Sequence, residues 1–318
     1  MTGPVRHAVR AVAAGRERRV RSHALPYQVT LAPGLGRGRR EQRGPELAGE
    51  GGDARLLESL AMDLQNTHAV SVVGEAVTKR FTDGAQGAAE REWLALTLLA
   101  EHAPGLAPEP IALEPGVVVM SRLEGTPLRG LTLGQAQLKG LAEALGAMHE
   151  AVPARVLDGL PERPWQVVAL AAQVREWCAR WRPRGSRADL AVSEGARWLD
   201  GWRPGTAGAR PAFGAGDGNL ANFLWDGTRV RIVDFEDSGR SDRAFELAEL
   251  AEHVSAWVDG EVDVLACVEL DREEAARVRE CRRLQALMWL FLLSGEGPRN
   301  PPGTFGRQVE RVLRALDS

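Results

Sequence analysis

Hydrophobic positions follow two regimes along the chain. Over residues 53–122 they fall in short runs cut by turn signals; beyond 123 most recur at helical spacing. In "NTHAVSVVGEAVTKRF" two Val- and Ala-rich stretches flank Gly74-Glu75, and glycine at the first turn position predicts a β-hairpin. "QGAAEREWLALTLLAEH" sets Trp93, Leu96 and Leu99 on one face, which predicts an amphipathic helix of about four turns. "EPIALEPGVVVMSRL" predicts a second strand pair turning at Glu114-Pro115-Gly116. Ahead of these, "DARLLESLAMDL" from Asp53 reads as a short helix.

Past Leu123, "TLGQAQLKGLAEALGAMHEAV" carries Leu138, Leu141, Leu145 and Met148 along one helical face. "WQVVALAAQVREWCARW" and "DLAVSEGARWLDGW" read as a helical pair, and "AFELAELAEHVSAWV" and "REEAARVRECRRLQALMWLFLLS" as two further helices. "NFLWDGTRVRIVDFED" interrupts them as two strands turning at Asp226-Gly227. The pattern predicts an α+β chain: a small β-rich lobe at 53–122, then a larger, mainly α lobe at 123–318 with one embedded hairpin.

Charge changes this picture only at the N-terminus. Residues 1–50 hold ten Arg and four Glu, a balance of +6 in a chain whose net charge is −3, so the body is acidic. Residues 1–52, poor in periodic apolar positions, read as an Arg-rich, disordered arm, and any contact with nucleic acid would be confined to it. "GLGRGRR" within it imitates a phosphate loop but lacks the flanking strand and helix that such a loop requires. No apolar run approaches the roughly 20 residues that cross a bilayer, the densest being "ALMWLFLL". Three scattered cysteines and no metal-ligand spacing fit a reducing cytoplasm. Basic residues are overwhelmingly Arg, with only Lys79 and Lys139 as lysines. A lysine in this chain therefore invites a reason.

The candidate chemistry centres on "GDGNLANFLWDG", where Asp217 and Asn222 stand five residues apart. If Trp225 faces Val230, the register brings Asn222 opposite Val233 and beside Asp234. Three oxygen-bearing side chains then share one mouth, as a magnesium–phosphate site requires, while a separate carboxylate must orient and deprotonate an attacking hydroxyl.

Asp217-x-x-x-x-Asn222, a hairpin and then Asp234-Phe235 resembles the protein-kinase-like pattern. More closely, together with "VDFEDSGRSDRAFELAEL", it resembles the aminoglycoside phosphotransferase and choline kinase family of small-molecule kinases. The resemblance covers 53–318 by element order and 214–252 at the level of motifs. It implies a bilobal protein-kinase-like fold, ATP and Mg²⁺ as cofactors, and transfer of the γ-phosphoryl group to a small-molecule hydroxyl. By that match Asp217 is the base and Asn222 and Asp234 are the metal ligands. The family also uses a small-lobe lysine on the phosphates and a helical glutamate that orients it. Lys79 in "AVTKRF" fills the first role. Glu92 rather than Glu90 fills the second, because Glu92 shares the face of Leu96 and Leu99. Backbone groups from Ser121 to Leu123 become candidates for adenine, with Met120 lining the pocket, and Glu246 becomes a brace for the catalytic loop.

Three positions depart from the family pattern. Ala215 stands where the family commonly has His, the stretch "LQNTHAV" where the phosphate loop belongs has no glycine, and Glu236 follows Asp234-Phe235 where protein kinases have Gly. Glu236 and Asp237 read first as residues of a solvated loop and second as an extra metal or substrate contact. The glycine-poor stretch keeps open a second class, a pseudokinase-like module that binds nucleotide without turnover. Trp177/Trp181 and Trp198/Trp202 read as core at i,i+4 spacing, His149 and His253 as non-catalytic, and Asp242 as a helix N-cap.

Overall fold

The computed structural model describes residues 68–82, 87–295 and 302–317. The arm at 1–52, the helix read from Asp53, and Asn66 and Thr67 of the phosphate-loop stretch lie outside the described residues. Strands β1 (His68–Val73) and β2 (Ala76–Phe81) form an antiparallel hairpin closed by Gly74-Glu75, and β3 (Pro110–Glu114) and β4 (Val117–Ser121) form a second. The four strands make one sheet in the order β1-β2-β4-β3. Register places Lys79 between Val70 and Val118, and Val77 opposite Met120. Direct antiparallel partners project from the same face, so Lys79, Val77, Val118 and Met120 share one side of the sheet.

Helix α1 (Ala88–His102) buries Ala95, Leu96, Leu98 and Leu99 in the core that also holds Val118 and Met120. The same core runs on into the larger lobe through Leu141, Met148, Phe213, Ile232 and Phe235, so the two lobes share one continuous apolar interior. Ile232 N–H also donates to the Leu106 carbonyl at 2.9 Å, fixing the larger lobe's hairpin against the smaller lobe.

The larger lobe begins with the short β5 (Thr126–Pro127) and α2 (Gln135–Ala151), then α3 (Ala154–Leu157), α4 (Val167–Arg180) and α5 (Arg187–Gly201). Strand β6 (Pro211–Gly214) leads into the candidate loop, and β7 (Phe223–Trp225) and β8 (Val230–Ile232) form the hairpin. Trp225 does face Val230, and Val233 N–H donates to the Asn222 carbonyl at 2.9 Å. The connection spans Asp226–Arg229, closed by an Asp226 carboxylate that accepts from the amides of Thr228 and Arg229. The lobe has more strand than one hairpin: β5 adds to β7, and β6 pairs with β9 (Gly239–Asp242).

Helix α6 (Arg243–Glu252) starts on Asp242, whose Oδ1 accepts from Ala244 N–H at 3.2 Å. The helix read through Val258 stops at Glu252 and resumes as a single 3₁₀ turn over Val254–Ala256. Helices α7 (Arg272–Leu292) and α8 (Thr304–Asp317) close the lobe. The sequence pattern predicts helices only as far as α7, yet α8 supplies Val309 and Val312 to a second core with α4, α5 and α7. That core takes in the tryptophans: the Trp177 and Trp181 rings lie 5.6 and 5.9 Å from Phe291, and Trp198 stacks on Trp202 at 4.9 Å. Among the described residues no helix is long and apolar enough to cross a membrane.

Candidate active site

Lys79 is 4% exposed in the middle of the sheet, where an unpaired ammonium would be costly. Three carboxylates surround it: Asp234 Oδ1 at 2.5 Å, Glu92 Oε2 at 2.9 Å and Glu236 Oε2 at 3.0 Å. Burial alone would lower the lysine's pKa; Asp234, Glu92 and Glu236 outweigh it and carry the value above the ordinary one. Lys79 is therefore a fixed cation at neutral pH. Glu92, 1% exposed on the inner face of α1, also accepts from Phe235 N–H at 2.8 Å. Burial pushes its carboxyl up while Lys79 and that amide pull it back. Glu90 sits on the exposed side of the helix.

Glu236 does not belong to a solvated loop. Besides Lys79 it reaches His68 Nδ1 at 2.8 Å, bridging the larger lobe's hairpin exit to β1. Backbone geometry turns it there: Asp234 has φ of 72°, a left-handed conformation that an L-residue rarely adopts. The kink directs Asp234 at Lys79 while Phe235 enters the core.

Asp217 sits between β6 and the one-turn 3₁₀ helix Leu220–Asn222. Asn219 N–H donates to its Oδ1 at 3.0 Å and Asn222 Nδ2 to its Oδ2 at 2.9 Å. Its side chain keeps 36% of its surface open. The carboxyl is pushed up to about 7, first by burial and then by the charges of Asp234 and Glu249. Glycine on either side is sterically required. A Cβ on Gly216, at φ of +83°, would lie 2.1 Å from the Asp237 carbonyl oxygen, and one on Gly218 would lie 2.7 Å from Leu250 Cα on α6. The loop thus lies directly on the neighbouring backbone.

His253, read from the sequence as non-catalytic, lies against this carboxylate. Its Nδ1 accepts from Ser255 N–H at 3.1 Å, which puts the ring proton on Nε2, 3.6 Å from Asp217 Oδ1. Burial and Arg129 lower its pKa to about 3, so it faces Asp217 as a neutral ring. Ser255 Oγ accepts from Leu220 N–H at 2.9 Å, tying the segment after α6 to the loop. No local spacing announced Ser255 or His253, because both act 35 or more residues from their partners. His149 is also buried, with no hydrogen bond to either ring nitrogen among the described residues, and its pKa is lowered to about 4 by burial.

A divalent cation fits two of these residues. Asn222 donates its Nδ2 to Asp217, and Asp234 accepts at Oδ1 from Lys79; Asn222 Oδ1 and Asp234 Oδ2 are the oxygens left over, with no hydrogen bond to them among the described residues. Hard amide and carboxylate oxygens, completed by phosphate and water, are the ligands that Mg²⁺ prefers. Among the described residues no three His, Cys, Asp or Glu side chains form a self-sufficient metal cage, which that ligand set does not need. The adenine candidates divide. Met120 is buried on the Lys79 side of the sheet. Ser121 is already engaged, its N–H on the Glu109 carbonyl and its hydroxyl accepting from Glu109 N–H, both at 2.8 Å. Arg122 N–H goes to the Glu75 carbonyl at 2.8 Å, leaving Leu123 as the position whose N–H has no backbone partner among the described residues.

A four-stranded sheet with one helix, joined through a shared core to a helical lobe with a buried Lys–Glu pair at the junction, is a protein-kinase-like fold. Solved structures share it. A choline/ethanolamine kinase family protein from Mesorhizobium loti superposes with a TM-score of 0.56 at 20% identity, over 79% of this chain and 88% of that one. The GDP and kanamycin complex of APH(2")-IIia gives 0.55 at 19% identity, over 79% and 90%. A macrolide 2'-phosphotransferase type I gives 0.51 at 20% identity, over 82% and 96%. No curated protein matches the sequence. The pattern of the phosphotransferase enzyme family (APH) matches residues 58–281, and the chain belongs to that family.

Proposed function

We propose that the protein is a small-molecule kinase that moves the γ-phosphoryl group of ATP to a hydroxyl of its acceptor. The observation that carries this reading is Asp217. It is a carboxylate held on two sides by Asn219 N–H and Asn222 Nδ2 and left partly open, placed to accept the proton of an attacking hydroxyl. Lys79, kept protonated by Glu92, Asp234 and Glu236, supplies the positive charge that steadies phosphate oxygens. Asn222 and Asp234 would hold Mg²⁺, which when bound neutralises phosphate charge. Met120 and Leu123 are the residues we assign to the adenine side. Catalysis on this reading is positioning and charge neutralisation, with little covalent chemistry asked of the chain.

The glycine-free "LQNTHAV" stretch supports one other reading, a module that binds nucleotide without turning it over. Calorimetric titration with ATP and GTP, with and without Mg²⁺, separates these when followed by mass spectrometry of product mixtures from a library of amino alcohols, sugars and antibiotics. The kinase reading expects Mg²⁺-dependent nucleotide affinity and an acceptor heavier by one phosphoryl group. It also expects Asp217→Ala to lose turnover and keep nucleotide affinity. Full turnover in that variant removes Asp217 from the role of base.

A further inference from the structure

We propose that Arg163 is a positioning residue for Asp217, locking the peptide immediately before it against helix α6. The assignment rests on the reading of Asp217 as the base. Arg163 lies in the segment between α3 and α4 and is 3% exposed. That segment is built into the fold. Arg163 N–H donates to the Arg240 carbonyl at 3.1 Å and Arg240 N–H to the Pro161 carbonyl at 2.9 Å. A Cβ on Gly239 would meet the Arg163 backbone nitrogen at 2.7 Å, so the segment lies flush on β9.

The guanidinium uses every nitrogen. One terminal nitrogen donates to Glu246 Oε1 at 2.6 Å and Glu249 Oε2 at 2.5 Å. The other donates to the Gly216 carbonyl at 2.9 Å and Glu249 Oε1 at 3.1 Å. Nε donates to the Pro164 carbonyl at 3.1 Å, and the group lies 5.3 Å from the centre of the Phe245 ring. Glu246 completes the grip from the other end: its Oε2 accepts from Gly216 N–H at 3.3 Å and its Oε1 from the Ser241 hydroxyl at 2.5 Å. The N–H and the C=O of Gly216 are thus both held by one buried ion pair.

The place of this grip gives it meaning. Gly216 must be glycine because of its positive φ and its contact with Asp237, and glycine is the residue least able to hold its own backbone. Its carbonyl belongs to the peptide that carries Asp217, so fixing that oxygen limits the tilt of the Asp217 side chain. The preceding residue, Ala215, has only a methyl group, and its side chain supplies no hydrogen bond. Arg163 brings from another part of the chain the restraint that this loop lacks locally. A merely charge-balancing cation for Glu246 and Glu249 would not need the contact with Gly216, and a lysine could serve; a planar fork that satisfies carboxylates and a carbonyl together is specific to arginine.

The test uses the full chain. Arg163→Lys keeps the charge and loses the fork. Arg163→Met combined with Glu249→Gln removes a cation and an anion together, so the fold is spared an unbalanced charge if the lysine variant does not fold. The expected result is a fall of about 10- to 100-fold in kcat per folded molecule with KM for ATP within about 2-fold. Amide hydrogen exchange over 214–222 should rise about 10-fold, with the rest of the chain unchanged. Wild-type exchange across 214–222 in a folded variant overturns the proposal, as does faster exchange with unaltered kcat. Should the wild-type chain phosphorylate no acceptor, the kinase reading fails on its own, and the exchange of 214–222 still decides whether Arg163 holds the loop.

Discussion

The substitution Asp217→Asn should make the protein more stable while removing its turnover, and the gain should depend on pH. The folded structure raises this carboxyl from its ordinary 3.8 to about 7, so ionising it costs the native chain more than the unfolded one. Taken at face value the difference is roughly 4 kcal/mol. A side chain 36% open to water is screened, and Asn222 must turn its amide to accept from the new carboxamide, so the net gain should be about 1–2 kcal/mol. Because the native chain binds this proton more tightly, wild-type stability falls relative to the variant as pH rises from about 4 to about 7. The carboxamide of the variant cannot ionise, so the difference is complete by about pH 8 and small near about pH 4.5. Urea unfolding of both proteins at half-unit pH steps measures it. A stability difference of the same size at about pH 5 and about pH 8 would refute the electrostatic origin, and a variant less stable than wild type at the higher pH would refute the reasoning entirely.

The same titration should appear in activity: kcat/KM for the acceptor should rise about tenfold per pH unit below about 7 and level off above it, in a stopped-time assay over roughly pH 5.5 to 8.5. Lys79→Met strands Glu92, Asp234 and Glu236 around a buried methyl and should cost about 3–5 kcal/mol in urea unfolding, with Glu92→Gln in the same chain recovering part of it. Gly216→Ala forces a methyl onto the Asp237 carbonyl at positive φ, so it should cost more than about 2 kcal/mol and depress turnover even in the folded fraction. Trp177→Ala should lower stability by about 3–5 kcal/mol and leave acceptor KM unchanged; a KM effect at full stability would make the tryptophan a substrate wall instead of core.

What the sequence disclosed was whatever a local period can encode. The two hairpins of the sheet, the side of α1 on which Glu92 lies, and the facing of Trp225 and Val230 all follow from alternation or helical spacing over short stretches of chain. Arg163 could not be found that way. Its partners Gly216, Glu246 and Glu249 lie 53, 83 and 86 residues on, and in a chain with 38 arginines nothing local marks this one. His253 was hidden for the opposite reason, since a histidine at a helix end is ordinary until the fold sets it beside a carboxylate. Glu236 misleads because its exposure is judged from a polar run, "DFEDSGRSD", whose backbone reverses at Asp234 and turns the side chain inward. The unforeseen α8 is a milder case: its Val309 and Val312 are regular enough, but the helix stands apart, after a Gly- and Pro-rich break.

The segment Asp234–Ser238 follows the larger lobe's hairpin in the chain, yet it is bonded to the small lobe's helix. Glu92 accepts from Phe235 N–H at 2.8 Å, Arg91 Nε donates to the Glu236 carbonyl at 2.6 Å, and the Ser238 hydroxyl donates to the Arg91 carbonyl at 3.4 Å. Two lobes that swing about their connecting strand end would shear these bonds one after another. The mechanical joint therefore lies on both sides of the cleft at once, and any widening must either carry 234–238 along with α1, pulling on the strand β8 behind it, or release α1 and Lys79 together. Any swing of one lobe against the other would therefore act on the alignment of the charged centre through the covalent path of that short segment.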